Sequence, residues 1–182
     1  MRFLILGVLL EGALSLYDVH KRFTGGISLF YAASFGSIQR ALEQLESLGW
    51  ATSAAEEGSA RRKRLYTVTS TGRDAWREWM LAPLTGSDPE PTMLARVYLL
   101  GSLPQVDRAG CIAELRRRID TDAAALEDLA ARLSETHVPE SLDEIARYRR
   151  ATLDYGIRSH ALAAAWLAEL AATPESLHSP KV

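Results

Sequence analysis

Between Trp50 and Val68 the chain leaves the helical period that governs most of its length. Trp50-Ala51-Thr52-Ser53 and Leu65-Tyr66-Thr67-Val68 have the pattern of two short strands. The turn-forming stretch Glu56-Glu57-Gly58-Ser59 and the basic run Arg61-Arg62-Lys63-Arg64 join them. The prediction is a β-hairpin with a strongly cationic tip, set inside a chain that is otherwise helical.

The flanks of this hairpin are helical. Phe3, Leu4, Leu6, Gly7, Val8 and Leu10 are nearly continuous apolar residues, which predicts a short buried helix ended at Gly12. Ser15 can cap a second helix with its hydroxyl. That helix carries Leu16, Val19 and Phe23 on one face and Asp18, Lys21 and Arg22 on the other, and Thr24-Gly25-Gly26 breaks the chain after it. A third helix starts near Ser34, because Ile38, Leu42, Leu45 and Leu48 recur at the spacing of one helical face, and Gly49 stops it. Its opposite face presents Arg40, Glu43 and Ser47, with Gln39 flanking and Ser37 in the first turn, and has almost no apolar content. After the hairpin, Thr69 offers a cap for a fourth helix that turns Ala75, Trp76, Trp79, Met80 and Leu81 inward and ends before Pro83.

The segment from Pro83 to Pro91, with Gly86 and Ser87, reads as a linker. Beyond it the pattern predicts helices over 92–103, 106–133 and 142–172, punctuated by Pro104 and Pro139. In the middle one Ile112, Leu115, Ile119, Ala123, Leu126, Ala130 and Leu133 alternate spacings of three and four, a seam suited to packing long helices side by side.

Composition narrows the function classes. The 47% hydrophobic content suffices for a core, and Cys111, the single cysteine, can form neither an intramolecular disulfide nor a thiolate cluster, which fits a reducing cytoplasm. Arg2 and the apolar stretch Phe3–Leu10 resemble the start of a secretory signal, but Glu11 ends the stretch early and no clean cleavage site follows. No apolar run approaches the roughly 20 residues of a membrane span, so no membrane partner is expected. His20, His137, His160 and His178 fall at no metal-ligand spacing, and there is no phosphate-binding glycine loop, nucleophile elbow or paired-carboxylate motif. Neither an enzyme nor a cofactor or metal is expected. The net charge is −2, but residues 1–82 carry ten Lys and Arg against eight Asp and Glu, whereas 83–182 carry eleven against fifteen.

Three helices, a two-stranded hairpin and a helix within about 80 residues is the winged helix-turn-helix order, in which the third helix enters the major groove and the hairpin follows the phosphates. Four consecutive cations at a hairpin tip concentrate positive potential where phosphate contacts supply affinity. Gln39 and Arg40 have the donors to read adenine or guanine edges. The expected DNA-contacting set is Ser34, Ser37, Gln39, Arg40, Arg61, Arg62, Lys63, Arg64 and Tyr66.

Residues 3–81 resemble the DNA-binding domain of the PadR family of bacterial transcriptional regulators. The resemblance rests on Leu4-Ile5-Leu6-Gly7-Val8-Leu9, on Gly12-Ala13-Leu14 with Tyr17, and on Ser34-Phe35-Gly36-Ser37-Ile38 followed by Ala41-Leu42 and Leu45-Glu46. Arg64-Leu65-Tyr66-Thr67-Val68-Thr69 with Gly72-Arg73 completes it, and Ala165-Trp166-Leu167-Ala168-Glu169-Leu170 is similar to the end of the family's longer subgroup. Where the family usually has His-Gly before its tyrosine this chain has Ser15-Leu16. Where it usually has a tyrosine and a proline this chain has Gln39 and Arg40, so the family's base contacts do not carry over there.

The fold expected is mainly α: a winged helix-turn-helix over 1–82, a linker at 83–91, a long-helix dimerisation and effector domain over 92–173 and a flexible tail at 174–182. The function expected is a transcriptional regulator, a repressor binding a two-fold symmetric operator in double-stranded DNA as a homodimer. Dimerisation through the C-terminal helices and release by a small molecule or other signal are what the resemblance implies. Tyr148, Tyr155 and Trp166 either pack the dimer or line a pocket for a small aromatic or apolar effector. Two rivals keep the fold: a winged-helix module that binds protein instead of DNA, and a MarR-like regulator, which would normally place a dimerisation helix ahead of the motif. A helical ligand carrier or enzyme built on the C-terminal half is the rival of a different class.

Overall fold

The computed structural model describes residues 1–55 and 63–172. They form two compact units, divided between Cys111 and Ile112.

The first unit is built around α1 (Arg2–Leu9). Its residues Leu4 to Leu9 are all buried, which matches an element apolar on every side. The two-residue strand β1 (Leu14–Ser15) leads directly into α2 (Leu16–Gly25), whose start is held by a capping box. The Ser15 hydroxyl accepts from the Asp18 amide at 3.2 Å, and the Asp18 carboxylate accepts from the Ser15 amide at 3.1 Å. A 3-10 turn at Ile27–Leu29 follows, and then α3 (Phe35–Ser47), capped by Ser34.

A single left-handed glycine ends α3. Gly49 has φ +68°, its amide donates to the Glu46 carbonyl, and the Trp50 amide reaches back to the Leu45 carbonyl, both at 2.9 Å. This Schellman arrangement turns the chain straight into β2 (Ala51–Ala55). Strand β3 (Arg64–Val68) returns antiparallel, with Ala51 opposite Val68 and Ser53 opposite Tyr66. The sheet has three strands in the order β1-β3-β2, one more than the sequence predicts, because Leu14 and Ser15 pair with Tyr66 and Leu65. Thr69 clips the hairpin root: its amide donates to the Trp50 carbonyl at 3.0 Å and its hydroxyl to the Gly49 carbonyl at 2.7 Å. The same hydroxyl accepts from the Gly72 amide and caps α4 (Ser70–Leu81).

The expected helix at 92–103 is shorter and split into α5 (Glu90–Tyr98) and a 3-10 turn at Leu100–Ser102. This segment packs on the first unit, although the sequence places it beyond a linker. Arg96 is 2% exposed, donates to the Ala82 carbonyl at 2.6 Å and lies over the Trp79 ring, and Arg77 forks onto Asp107 at 2.7 and 3.0 Å. The compact unit therefore runs on past 83–91, a composition break that the packing does not follow.

The helices α6 (Gln105–Ser134) and α7 (Asp143–Ala172) match the expected spans closely. In the second unit they approach at Gly156, where an added Cβ would sit 3.4 Å from Leu126. The predicted seam is buried at Ile112, Leu115 and Ile119, whereas Leu133 at its far end is 38% exposed.

Candidate nucleic-acid interface

Helix α3 anchors itself through Ile38, Ala41, Leu42 and Leu45, all buried, and so fixes which residues face away from the core. Gln39, Arg40 and Glu43 are exposed. Gln39 donates to Glu43 at 3.0 Å, which leaves its carbonyl oxygen open to accept. Arg40 has no hydrogen bond or ion pair with any described residue. Ser34 and Ser37 serve the helix start: the Ser34 hydroxyl accepts from the Ser37 amide at 3.2 Å, and the Ser37 hydroxyl donates to the Ser34 carbonyl at 2.7 Å. Both oxygens keep lone pairs to offer, while the Ser37 proton is committed to the backbone.

Of the basic run, Arg61 and Arg62 lie outside the described residues. Lys63 and Arg64 tie the hairpin to the helices beside it. Lys63 pairs with Asp18 of α2 at 3.3 Å. Arg64 donates to Glu46 of α3 at 3.1 Å and also to the Ser53 hydroxyl, which itself donates to Glu46 at 2.6 Å. The Arg64 side chain is still 59% exposed, so this pairing does not remove it from the surface. Hydrogen bonds from Ser15, with a smaller contribution from Lys63, hold the Asp18 carboxyl below the ordinary carboxylate range, so Asp18 is ionised at neutral pH.

Tyr66 is a correction. The sequence places it in the DNA-contacting set, but the residue is only 6% exposed and its ring turns into the core. Along β3, Tyr66 and Val68 are buried and Thr67 between them is exposed, the alternation that a strand with one covered face imposes, while Arg64 at the strand's start shares the face of Tyr66 and is exposed. Burial accordingly raises the Tyr66 hydroxyl above its usual range, which leaves it neutral. The two-residue spacing from Val68 is the signal in the sequence that assigns it inward.

In the second unit, Tyr148 and Tyr155 are 61% and 73% exposed, and Trp166 is half-buried. A cleft of about 410 Å³ lies where α6 turns into α7. Leu133, Val138, Leu142 and Ile145 are among its walls, and none of the three aromatics lines it. Ile145, Tyr148, Tyr155 and Leu162 instead form an exposed apolar stripe along α7.

Residues 5–78 match the PadR-like family of transcriptional regulators, and residues 92–173 match the family described as virulence activator alpha C-term. The probable transcriptional regulator Rv1176c of Mycobacterium tuberculosis is 29% identical over 185 residues, covering 92% of this chain and 93% of that protein. The negative transcriptional regulator PadR of Bacillus subtilis is 29% identical over 82 residues, covering 44% of this chain and 45% of that one. The crystal structure of Bacillus subtilis PadR with operator DNA is 21% identical, with 94% of this chain and 96% of that chain covered and a TM-score of 0.42.

Proposed function

We propose that this protein, a transcriptional regulator of the PadR-like family with a virulence-activator-alpha C-terminal domain, reads double-stranded DNA as a homodimer. Helix α3 enters the major groove, the hairpin lies along the phosphates, and the C-terminal helices hold two copies so that two reading heads meet a two-fold symmetric site. The observation that carries the reading is the exposed polar face of α3, with Gln39 and Arg40, standing on a buried apolar face in the same unit as a cationic hairpin. Ser34 and Ser37 frame that face, and Gln39 and Arg40 supply the base contacts. Lys63 and Arg64, with Arg61 and Arg62, supply affinity and position.

The α7 stripe supports a homodimer. Tyr148, Tyr155 and Leu162 recur every seven residues and so share one helical face, and a second copy presents the same face. We assign the aromatics to this interface. The apolar cleft at the α6–α7 turn has the volume of a small-molecule site, and it is our candidate for the effector whose binding releases DNA. The relation of the N-terminal half to a negative regulator favours repression. A repressor of this kind works on the chromosome, in the cytoplasm. The functional division remains 1–82 for DNA and 92–173 for assembly and signal.

Fluorescence anisotropy with the chain's own upstream DNA, repeated across a range of salt, tests the reading. Replacing Arg61, Arg62 and Arg64 together by alanine weakens binding to all sequences and lowers the salt slope by about 0.9 for each phosphate left unneutralised. An unchanged slope removes the wing from the interface. Wild-type protein that binds no DNA in a salt-dependent way overturns DNA reading and leaves a protein-interaction module.

A further inference from the structure

A cleft of about 240 Å³ opens where the start of α1 meets the exposed side of α3. Its walls are Met1, Arg2, Ser37, Arg40, Ala41 and Gln44. Positions 37, 40, 41 and 44 fall on one strip of α3, because three and four residues make about one helical turn. Arg2 comes from a different element.

The chemistry of these walls is one-sided. Arg2 and Arg40 line the space together with Met1, while Ser37 and Gln44 add polar side chains, and no carboxylate lines it. Neither Arg2 nor Arg40 forms an ion pair with any described residue, and the Arg2 guanidinium instead lies 6.0 Å from the centre of the Trp50 ring. Contact with the ring limits where the long side chain can go, and a guanidinium placed in this way loses less freedom when it binds. Two unneutralised cations beside a polar cleft favour an anion between them. A tetrahedral oxyanion suits the forked donors, which can each give two parallel N–H bonds. The volume holds one such group with ordered water, since a water takes about 30 Å³.

We propose that this cleft seats one backbone phosphate of the bound duplex, with Arg2 of α1 and Arg40 of α3 as its two cationic walls. The inference rests on the DNA-reading function above and adds to it a positioning contact in which one cation, Arg2, comes from outside both the recognition helix and the wing. Because Arg2 stands off the base-reading helix, its contact is with the backbone alone and does not depend on sequence. It fixes how far along its axis α3 enters the groove, and Arg40 spans the two tasks.

The test measures anisotropy of labelled duplexes, the upstream region and an unrelated sequence of equal length, from low to moderate salt, using the full chain. Arg2→Gln is expected to weaken both duplexes alike, by about five-fold at moderate salt, and to lower the salt slope by about one. Arg2→Lys restores most of the slope, since it returns the charge. Arg2 is exposed, and a melting temperature within a degree or two of wild type for both variants shows that the fold is intact. Wild-type slope and affinity in Arg2→Gln overturn the phosphate seat while leaving DNA reading in place. A slope reduced in Arg2→Lys as much as in Arg2→Gln also overturns it, because Arg2 would then act through its packing on Trp50. A wild-type protein without salt-dependent binding overturns both readings together.

Discussion

Gly72 sits at the tightest point of the hairpin root. A Cβ there would lie 2.0 Å from the Trp50 carbonyl oxygen, and that carbonyl already accepts from the Thr69 amide. Backbone cannot give way as a side chain can, so Gly72→Ala should cost about 3 kcal/mol or more, measured by urea unfolding. Asp18 carries a different signature. Its carboxyl is held below the ordinary range by Ser15 and Lys63, so the folded chain stays ionised at pH values where the unfolded chain takes up a proton. The resulting stabilisation is complete above about pH 5 and is lost as pH falls through the lowered native value. Unfolding of Asp18→Asn followed from pH 7 to pH 3 should show a smaller acid loss than wild type. If Arg40 reads a base as proposed, Arg40→Ala should relax discrimination at one base pair by about 1–3 kcal/mol, read from competition with single-base variants of the operator.

At the scale of elements, what was legible in the sequence was what is local. Ser15 and Thr69 each cap the helix expected of them, because a cap needs only a hydroxyl and an amide three residues on, and Ser34, near which the third helix is expected to start, caps it in the same way. Ser15→Ala should accordingly cost about 1 kcal/mol in the same unfolding assay. Gly49 as the stop of α3 and the two long C-terminal helices were equally plain. Features that depend on partners distant in sequence were not. Leu14 and Ser15 are too short a strand to show a period, and they become one only by pairing with Tyr66 and Leu65. Arg96 reads as a surface cation, but it is buried because the Ala82 carbonyl and the Trp79 face await it. The cationic character of the candidate interface was visible in composition, whereas the pairing of Lys63 with Asp18 and of Arg64 with Glu46 required the helices to be set beside the hairpin. Arg2, too, reads as a lone charge until α1 lies against α3.

For the whole molecule, the α7 stripe gives the proposed assembly a place to be tested. Tyr155→Glu combined with Leu162→Glu places like charges along the proposed seam; light scattering should report a dimer for wild type and a monomer for the double variant. The ion pair of Arg64 with Glu46 changes how docking on DNA is to be counted. In the proposed complex a phosphate arriving at Arg64 would meet a resident carboxylate, so binding there would be an exchange of one anion for another, and the affinity gained a difference between two attractions. Glu46 thus acts as a built-in competitor that holds the wing's grip in check. Glu46→Gln withdraws the competitor's charge, and the duplex should bind about two- to five-fold more tightly, the range expected of an exposed ion pair.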